Sequence, residues 1–354
     1  MQIGLVGLSY SGKTTLFQLL TGIKQDHTMQ GKANRGVVKV PDSRVDYLSA
    51  LYKPKKTTYA TLEAVDIPGL IPGAERSTAS FLTAVREADI LVNVIQDFEN
   101  PEAPPHEGEL NPQRDLELVL YELLLADLDQ VERRIERIKS GKPSKINQEE
   151  LALLQKLKSA LEAEIPVSSL ELSAAEELMV RNYRFLTAKP YVVVVNVDES
   201  RISDHEAHSN SEIAGFCRER GIPWHYLSAR IESEIAELDG EERQLFLEEL
   251  NIKESGLVTV TRLVYTRLGL ISFFTVGEDE VKAWTITKGL TAREAAGKIH
   301  SDMERGFIRA EVVAFDDFAR AGSMNAARTE GTLRLEGKDY IVNDGDIIHF
   351  RFNV

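Results

Sequence analysis

Hydrophobic positions along the chain change their period several times. Gln2 to Val6 is a short, mostly apolar run ending at Gly7, and Leu16-Phe17-Gln18-Leu19-Leu20 follows soon after, so the chain opens strand, loop, helix. Leu62–Val65, Ile90–Ile95 and Tyr191–Val195 read as further buried strands. Helical or loop stretches separate them, which predicts an α/β fold with a parallel sheet covered by helices.

Between the third and fourth of these strands the period lengthens. Leu120, Leu124, Leu128, Val131, Ile135 and Ile138 recur at intervals of three and four, marking a long amphipathic helix over Leu116–Ile138 with a coiled-coil-like seam. Ser140-Gly141-Lys142-Pro143 breaks it, and Leu154, Leu157 and Leu161 predict a second helix over Glu149–Glu164. Together they form an antiparallel helical hairpin, an insertion spanning about 113–180. From about Ile271 the runs shorten: Val281–Ile286, Ala310–Phe315, Thr332–Leu335, Asp339–Val342 and Ile347–Phe352 surround one helix signal, Ala292–His300. That is a small α+β module.

The length of 354 residues suits two or three domains, and 43% hydrophobic with 28% charged residues is the mixture of a globular protein. Cys217 is the only cysteine, which rules out an internal disulfide and fits a cytoplasmic setting. No apolar run approaches the roughly 20 residues that span a bilayer, and the start lacks the pattern of a signal peptide. A net charge of -14 argues against nucleic-acid binding by the whole surface.

The candidate chemistry begins at Gly7-Leu-Ser-Tyr-Ser-Gly-Lys-Thr14, a phosphate-binding P-loop between strand and helix. Gly7 and Gly12 let backbone N–H groups turn toward phosphate, with Ser9, Tyr10 and Ser11 between them. Lys13 places its ammonium on the β- and γ-phosphates, Thr14 offers a hydroxyl to Mg²⁺, and Thr15 continues the helix entry. Asp66-Ile67-Pro68-Gly69 follows a strand some fifty residues downstream, where Asp66 serves the Mg²⁺ shell and the Gly69 amide senses the γ-phosphate. Leu70 stands where signalling GTPases often place a water-orienting glutamine, so another group positions the water or hydrolysis is slow.

Asn196-Val197-Asp198-Glu199 lies where a GTPase carries Asn-Lys-x-Asp to read guanine. Glu199 is one methylene longer than aspartate and Val197 has no ammonium. Relaxed pairing removes the barrier to adenine and makes ATP the expected nucleotide, with GTP as the alternative. Ser228-Ala229, after the His225–Leu227 run, fits the last base-contacting loop.

These elements resemble the Obg-like ATPases, the YchF family of translation-factor-related P-loop proteins. The resemblance rests on Asn196–Glu199, Glu232–Asp239, Gly306–Glu311, Leu335–Val342 and Asp344–Val354. It implies a P-loop NTPase domain over 1–274 and a TGS domain, a β-grasp module, over 275–354. It also implies ATP preferred over GTP, Mg²⁺ dependence, slow hydrolysis and association with ribosomes. The family's proposed substitute for the missing glutamine is a histidine in the loop after the third strand, and His106 stands at the matching place, where an exposed loop histidine is the other reading.

The chain departs from the family in its switches. Gln30 occupies the usual threonine position of the first switch, with Thr28 nearby, and Gly73–Ser80 is poor in glycine. A non-hydrolysing ATP sensor therefore stands as the rival to a slow ATPase. Arg133-Arg134-Ile135-Glu136-Arg137-Ile138-Lys139, extending to Lys142 and Lys145, makes a basic stretch near the hairpin tip. It is read either as a solvated helix face or as a contact for RNA phosphates of the ribosome. A monomer without membrane attachment is expected.

Overall fold

A computed structural model describes residues 1–23, 34–72, 75–140 and 145–353. The strands are β1 (Gln2–Val6), β2 (Asn34–Lys39), β3 (Lys56–Thr58), β4 (Thr61–Asp66), β5 (Ile90–Asp97), β6 (Tyr191–Val197), β7 (Trp224–Leu227), β8 (Leu270–Thr275), β9 (Glu280–Thr287), β10 (Phe307–Ala314), β11 (Arg334–Glu336) and β12 (Asp346–Phe352). Residues Met1–Val37 and Glu63–Val260 pack as one unit, Val38–Leu62 and Thr261–Val354 as another.

The first unit is built on a sheet of order β2-β4-β1-β5-β6-β7. The pairs β4/β1, β1/β5, β5/β6 and β6/β7 are all parallel. β5 and β6 are buried along their whole length, as unbroken Val- and Ile-rich runs must be when helices cover both faces. The P-loop opens from the carboxyl end of β1, the D-x-x-G segment from β4 and the N-x-x-E segment from β6, so all three converge at one edge of the sheet.

The predicted hairpin is present as helices Pro112–Lys139 and Lys145–Glu162. The first begins four residues before the apolar period shows it, because the Asn111 side chain caps the Arg114 N–H and Pro112 sits in the first turn. Its early half sends Leu116, Val119 and Leu123 into the core under the sheet. Its later half packs Val131 and Ile135 against Leu154, Leu157 and Leu161 of the second helix. Between the halves the buried Asp127 carboxylate accepts the N–H of Leu186 and Thr187 at 2.9 and 2.8 Å, joining the hairpin to the chain entering β6.

The second unit has a sheet of order β11-β10-β12-β8-β9-β3. Two antiparallel pairs, β8/β9 and β10/β12, meet through parallel β12/β8. With the helix Ala292–Ile299 across one face, this is the β-grasp arrangement. Ala292, Ala295 and Ala296 are fully buried there against Phe273, Ile286 and Phe350, and a Thr291–Glu294 capping box starts the helix.

Two expectations change. Asp339–Val342 is not a strand: Ile341 makes only an isolated antiparallel bridge to Thr291, in which the Tyr340 carbonyl accepts the Ala292 N–H at 2.7 Å and the Leu290 carbonyl accepts the Val342 N–H at 3.1 Å. The boundary at 274/275 also differs from the observed division. Residues 38–62 belong with the C-terminal module, because β3 pairs in parallel with β9 and Tyr47 and Tyr52 of the helix Ser43–Tyr52 pack on Phe315 and Phe318.

Candidate functional site

The loop between β1 and the helix Lys13–Thr21 depends on its glycines. Gly7 has φ 142° and Gly12 φ 94°. A Cβ on them would lie 2.3 Å from the Val94 carbonyl oxygen and 2.4 Å from Asn196 Nδ2. Gly12 precedes the helix in a left-handed conformation with no side chain to cap the first turn. Those N–H groups are left for an anion, which the helix dipole also favours. Between the glycines, Tyr10 also has positive φ and is exposed, Ser9 is half-buried and Ser11 is buried.

Lys13 is buried, and its Nζ donates to the Leu8 carbonyl at 2.5 Å and to Ser11 Oγ at 3.4 Å. Burial lowers its pKa to about 8, opposed by the Asp66 carboxylate. Thr14 Oγ1 donates to Asp66 Oδ2 at 3.0 Å. Burial pushes the Asp66 carboxyl up, while Thr14, Lys13 and Asn34 pull it down. A hydroxyl and a carboxylate side by side next to the phosphate loop suit a hard, oxygen-loving cation. Among the described residues no cluster of three or more His, Cys, Asp or Glu offers another metal site.

The D-x-x-G segment lies directly on the P-loop. Leu70 N–H donates to the Gly7 carbonyl at 3.0 Å, and Ser9 N–H donates to the Leu70 carbonyl at 3.3 Å. A Cβ on Gly69 would stand 2.9 Å from Ser9 Cα, so only glycine fits this approach. The Leu70 side chain is buried in the core and cannot orient water. Gln30, Thr28 and Gly73 lie outside the described residues.

At the other end, a pocket of about 470 Å³ is bounded by Gly12, Thr15, Asn196, Val197, Asp198, Glu199, Ser228 and Ala229, all but Asp198 named from sequence as nucleotide contacts. Asn196 holds the corner: its Nδ2 donates to the Ser11 carbonyl at 3.2 Å and its Oδ1 accepts the Ala229 N–H at 2.9 Å. One asparagine thereby ties the phosphate loop to the Ser228–Ala229 turn. Val197 packs into the core. Phe98, Asn100 and Arg230 also line this pocket, and sequence reading missed all three. Their signal was position: Phe98 directly follows β5, and Arg230 directly follows Ser228-Ala229. Arg230 Nε lies 3.1 Å from Glu199 Oε2.

His106 begins a short turn, His106–Gly108, and lines a water-sized cavity of about 10 Å³ with Leu8, Ser9, Ser11, Asn93 and Asp115. The turn is strapped in place by Arg114, which donates to the carbonyls of His106 and Glu109 at 2.8 and 2.9 Å. The imidazole is therefore half-buried against the P-loop rather than free on the surface.

The hairpin's positive charge is partly neutralised. Arg133 pairs with Asp129 at 2.8 Å and Arg134 with Glu150 at 2.8 Å. Arg137 and Lys139, in the last turn of the first helix, make no ion pair among the described residues, while Lys142 and the Lys145 side chain lie outside them.

A family model described as "50S ribosome-binding GTPase" matches residues 2–127, and the YchF-GTPase_C model, described as "Protein of unknown function", matches residues 270–353. The chain is 42% identical to the "Ribosome-binding ATPase YchF" of Bacillus subtilis and 42% identical to that of Escherichia coli O157:H7, with 99% of both chains covered in each case. Among solved structures it is similar to the "YchF GTPase" of Schizosaccharomyces pombe, with TM-score 0.87 and 31% identity over 99% of this chain and 97% of that one.

Proposed function

The chain belongs to the YchF family, and from that premise we propose that it is a slow, Mg²⁺-dependent ATPase that acts in association with the ribosome. The observation that carries the reading is the continuity of the site. Asn196 joins the P-loop carbonyl of Ser11 to the Ala229 amide at the base pocket, so a single nucleotide reaches from Lys13 to Glu199.

The roles follow from placement. Loop N–H groups and Lys13 hold the phosphate charge, and water attacks the γ-phosphate in line. Mg²⁺, when bound by Thr14 and Asp66, neutralises phosphate charge. His106 orients the attacking water, because Leu70 cannot and the His106 turn lies against Ser9 and Ser11. ATP is preferred because Val197 brings no ammonium over the base and Glu199 replaces a shorter acid. Arg137, Lys139 and the β-grasp module serve ribosomal RNA, and the protein works as a cytoplasmic monomer. Among the described residues no helix is long and apolar enough to cross a membrane.

The names of the relatives differ, ATPase for the bacterial proteins and GTPase for the yeast one, so base choice is the first test. Titration with ATP and GTP in Mg²⁺ is expected to give at least a tenfold ATP preference, about 1.4 kcal/mol. Phosphate release is expected to fall at least tenfold in His106→Ala while ATP affinity stays within about twofold, the size of a lost general-base or water-orienting group. Equal turnover in that variant removes His106 from the mechanism. The buried Leu70 favours a second reading, an ATP sensor that does not hydrolyse. Binding without phosphate release from the wild-type protein would select it.

A further inference from the structure

We infer that Arg230 sets the choice of base by occupying Glu199, an inference that rests on reading this pocket as the base site. Arg230 is the second residue of the helix Ala229–Glu237, which starts directly after Ser228. Among the described residues that line the pocket it is the only cation. Its Nε lies 3.1 Å from Glu199 Oε2, on the residue that stands where a GTPase keeps its guanine-reading acid.

Guanine presents two donors on one edge, N1–H and the 2-amino group. Reading them takes a carboxylate with both oxygens turned toward the base. Here one oxygen of Glu199 already accepts from a guanidinium, which also balances its charge. The neighbouring acid is engaged as well, since Asp198 Oδ2 accepts the Glu99 N–H at 3.3 Å. Of the acids that follow Asn196 in this segment, neither Asp198 nor Glu199 has both oxygens without a partner. Adenine carries an acceptor at N1 and no 2-amino group, so it makes no claim on Glu199. Guanine must compete with Arg230 for Glu199 before it can be read. Discrimination therefore comes from a penalty against the wrong base as much as from contacts to the right one.

Size follows from exposure. The Arg230 side chain is 74% exposed and that of Glu199 43%, so the pair has the modest strength of a surface ion pair, about fivefold in an equilibrium constant. Arg230 acts through Glu199 and is a specificity-determining residue, not a catalytic one.

The experiment measures Kd for ATP and for GTP in Mg²⁺ with the full chain, in wild type, Arg230→Ala, Glu199→Gln and the double variant. Arg230→Ala is expected to lower the GTP-to-ATP ratio of Kd values about fivefold. Adding Arg230→Ala to Glu199→Gln is expected to leave the ratio where Glu199→Gln put it, because the acceptor that Arg230 controls is no longer a carboxylate. A ratio unmoved by Arg230→Ala overturns the inference. So does an equal shift in both backgrounds, which would mean that Arg230 meets the base itself. A wild-type protein that binds neither triphosphate overturns the reading of the pocket, and a wild-type protein that binds ATP with the ratio unmoved overturns only the role of Arg230.

Discussion

At the phosphate end of the site Lys13 is 6% exposed and its partners are loop atoms a few residues away. At the base end Glu199 and Arg230 are largely open to solvent and meet across the pocket from two different elements. The first end is fixed by backbone: two glycines with positive φ, a helix start without a side-chain cap, and a lysine desolvated in advance. The second is fixed by side chains with many alternatives. Interactions buried in low dielectric are strong and unforgiving, whereas exposed ion pairs are weak and adjustable. Affinity for a triphosphate is therefore expected to reside at the Lys13 end, and choice among triphosphates at the Glu199 end.

The largest effect should come from Lys13→Ala. Removing the buried ammonium at the proposed phosphate end is expected to weaken ATP and GTP alike by about 100-fold, since hydrogen bonds to charged groups are worth about 1.5–3 kcal/mol. Isothermal titration of the variant checks it, and near-normal affinity would dismantle the contrast between the two ends. A second test uses acidity. The free-protein pKa of Lys13 is about 8, and a bound phosphate favours the charged form, so binding takes up a proton wherever Lys13 was neutral. Affinity should be flat below about pH 8 on this account and fall as pH rises through it, by about tenfold near pH 9. Both nucleotides should fall together, because the base end plays no part; a fall confined to one of them would blur the distinction. The smallest effect concerns the pocket wall. Phe98→Ala is expected to cost about fivefold in ATP affinity through lost stacking, at the low end for a base on an aromatic ring. Phosphate-only ligands such as inorganic triphosphate should be unaffected, and a loss there would place Phe98 at the wrong end.

The phosphate end was legible in the sequence because backbone constraint leaves few residue choices. Gly7, Gly12, Lys13 and Thr14 could be named from their spacing alone, and the structure brings them together with Asp66, Gly69 and Asn196. β6 was legible because Tyr191–Val195 is an apolar run, and the strand Tyr191–Val197 is buried along its length. The base end was legible only in part. Asn196, Glu199, Ser228 and Ala229 were placed, but Phe98 and Arg230 carry no periodic signal and owe their positions to the tertiary fold. The helix Pro112–Lys139 showed in its seam, while its true start lay in capping chemistry upstream of the apolar period. β3 was invisible. Lys56-Thr57-Thr58 is three residues with no buried position, and it is a strand because β9 offers an edge to pair with.

That short strand also bears on how the molecule is made. Thr58 bonds to Glu280 across 222 positions of sequence, so the edge of the β-grasp sheet joins an early part of the chain to a late one. During synthesis from the amino terminus, residues 38–62 emerge well before their partners exist, and Tyr47 and Tyr52 must wait for Phe315 and Phe318. Pairings of such long sequence separation close slowly and leave edges open in the interval. The β-grasp module is thus completed by residues that emerge well before the rest of it, and its assembly waits for both parts.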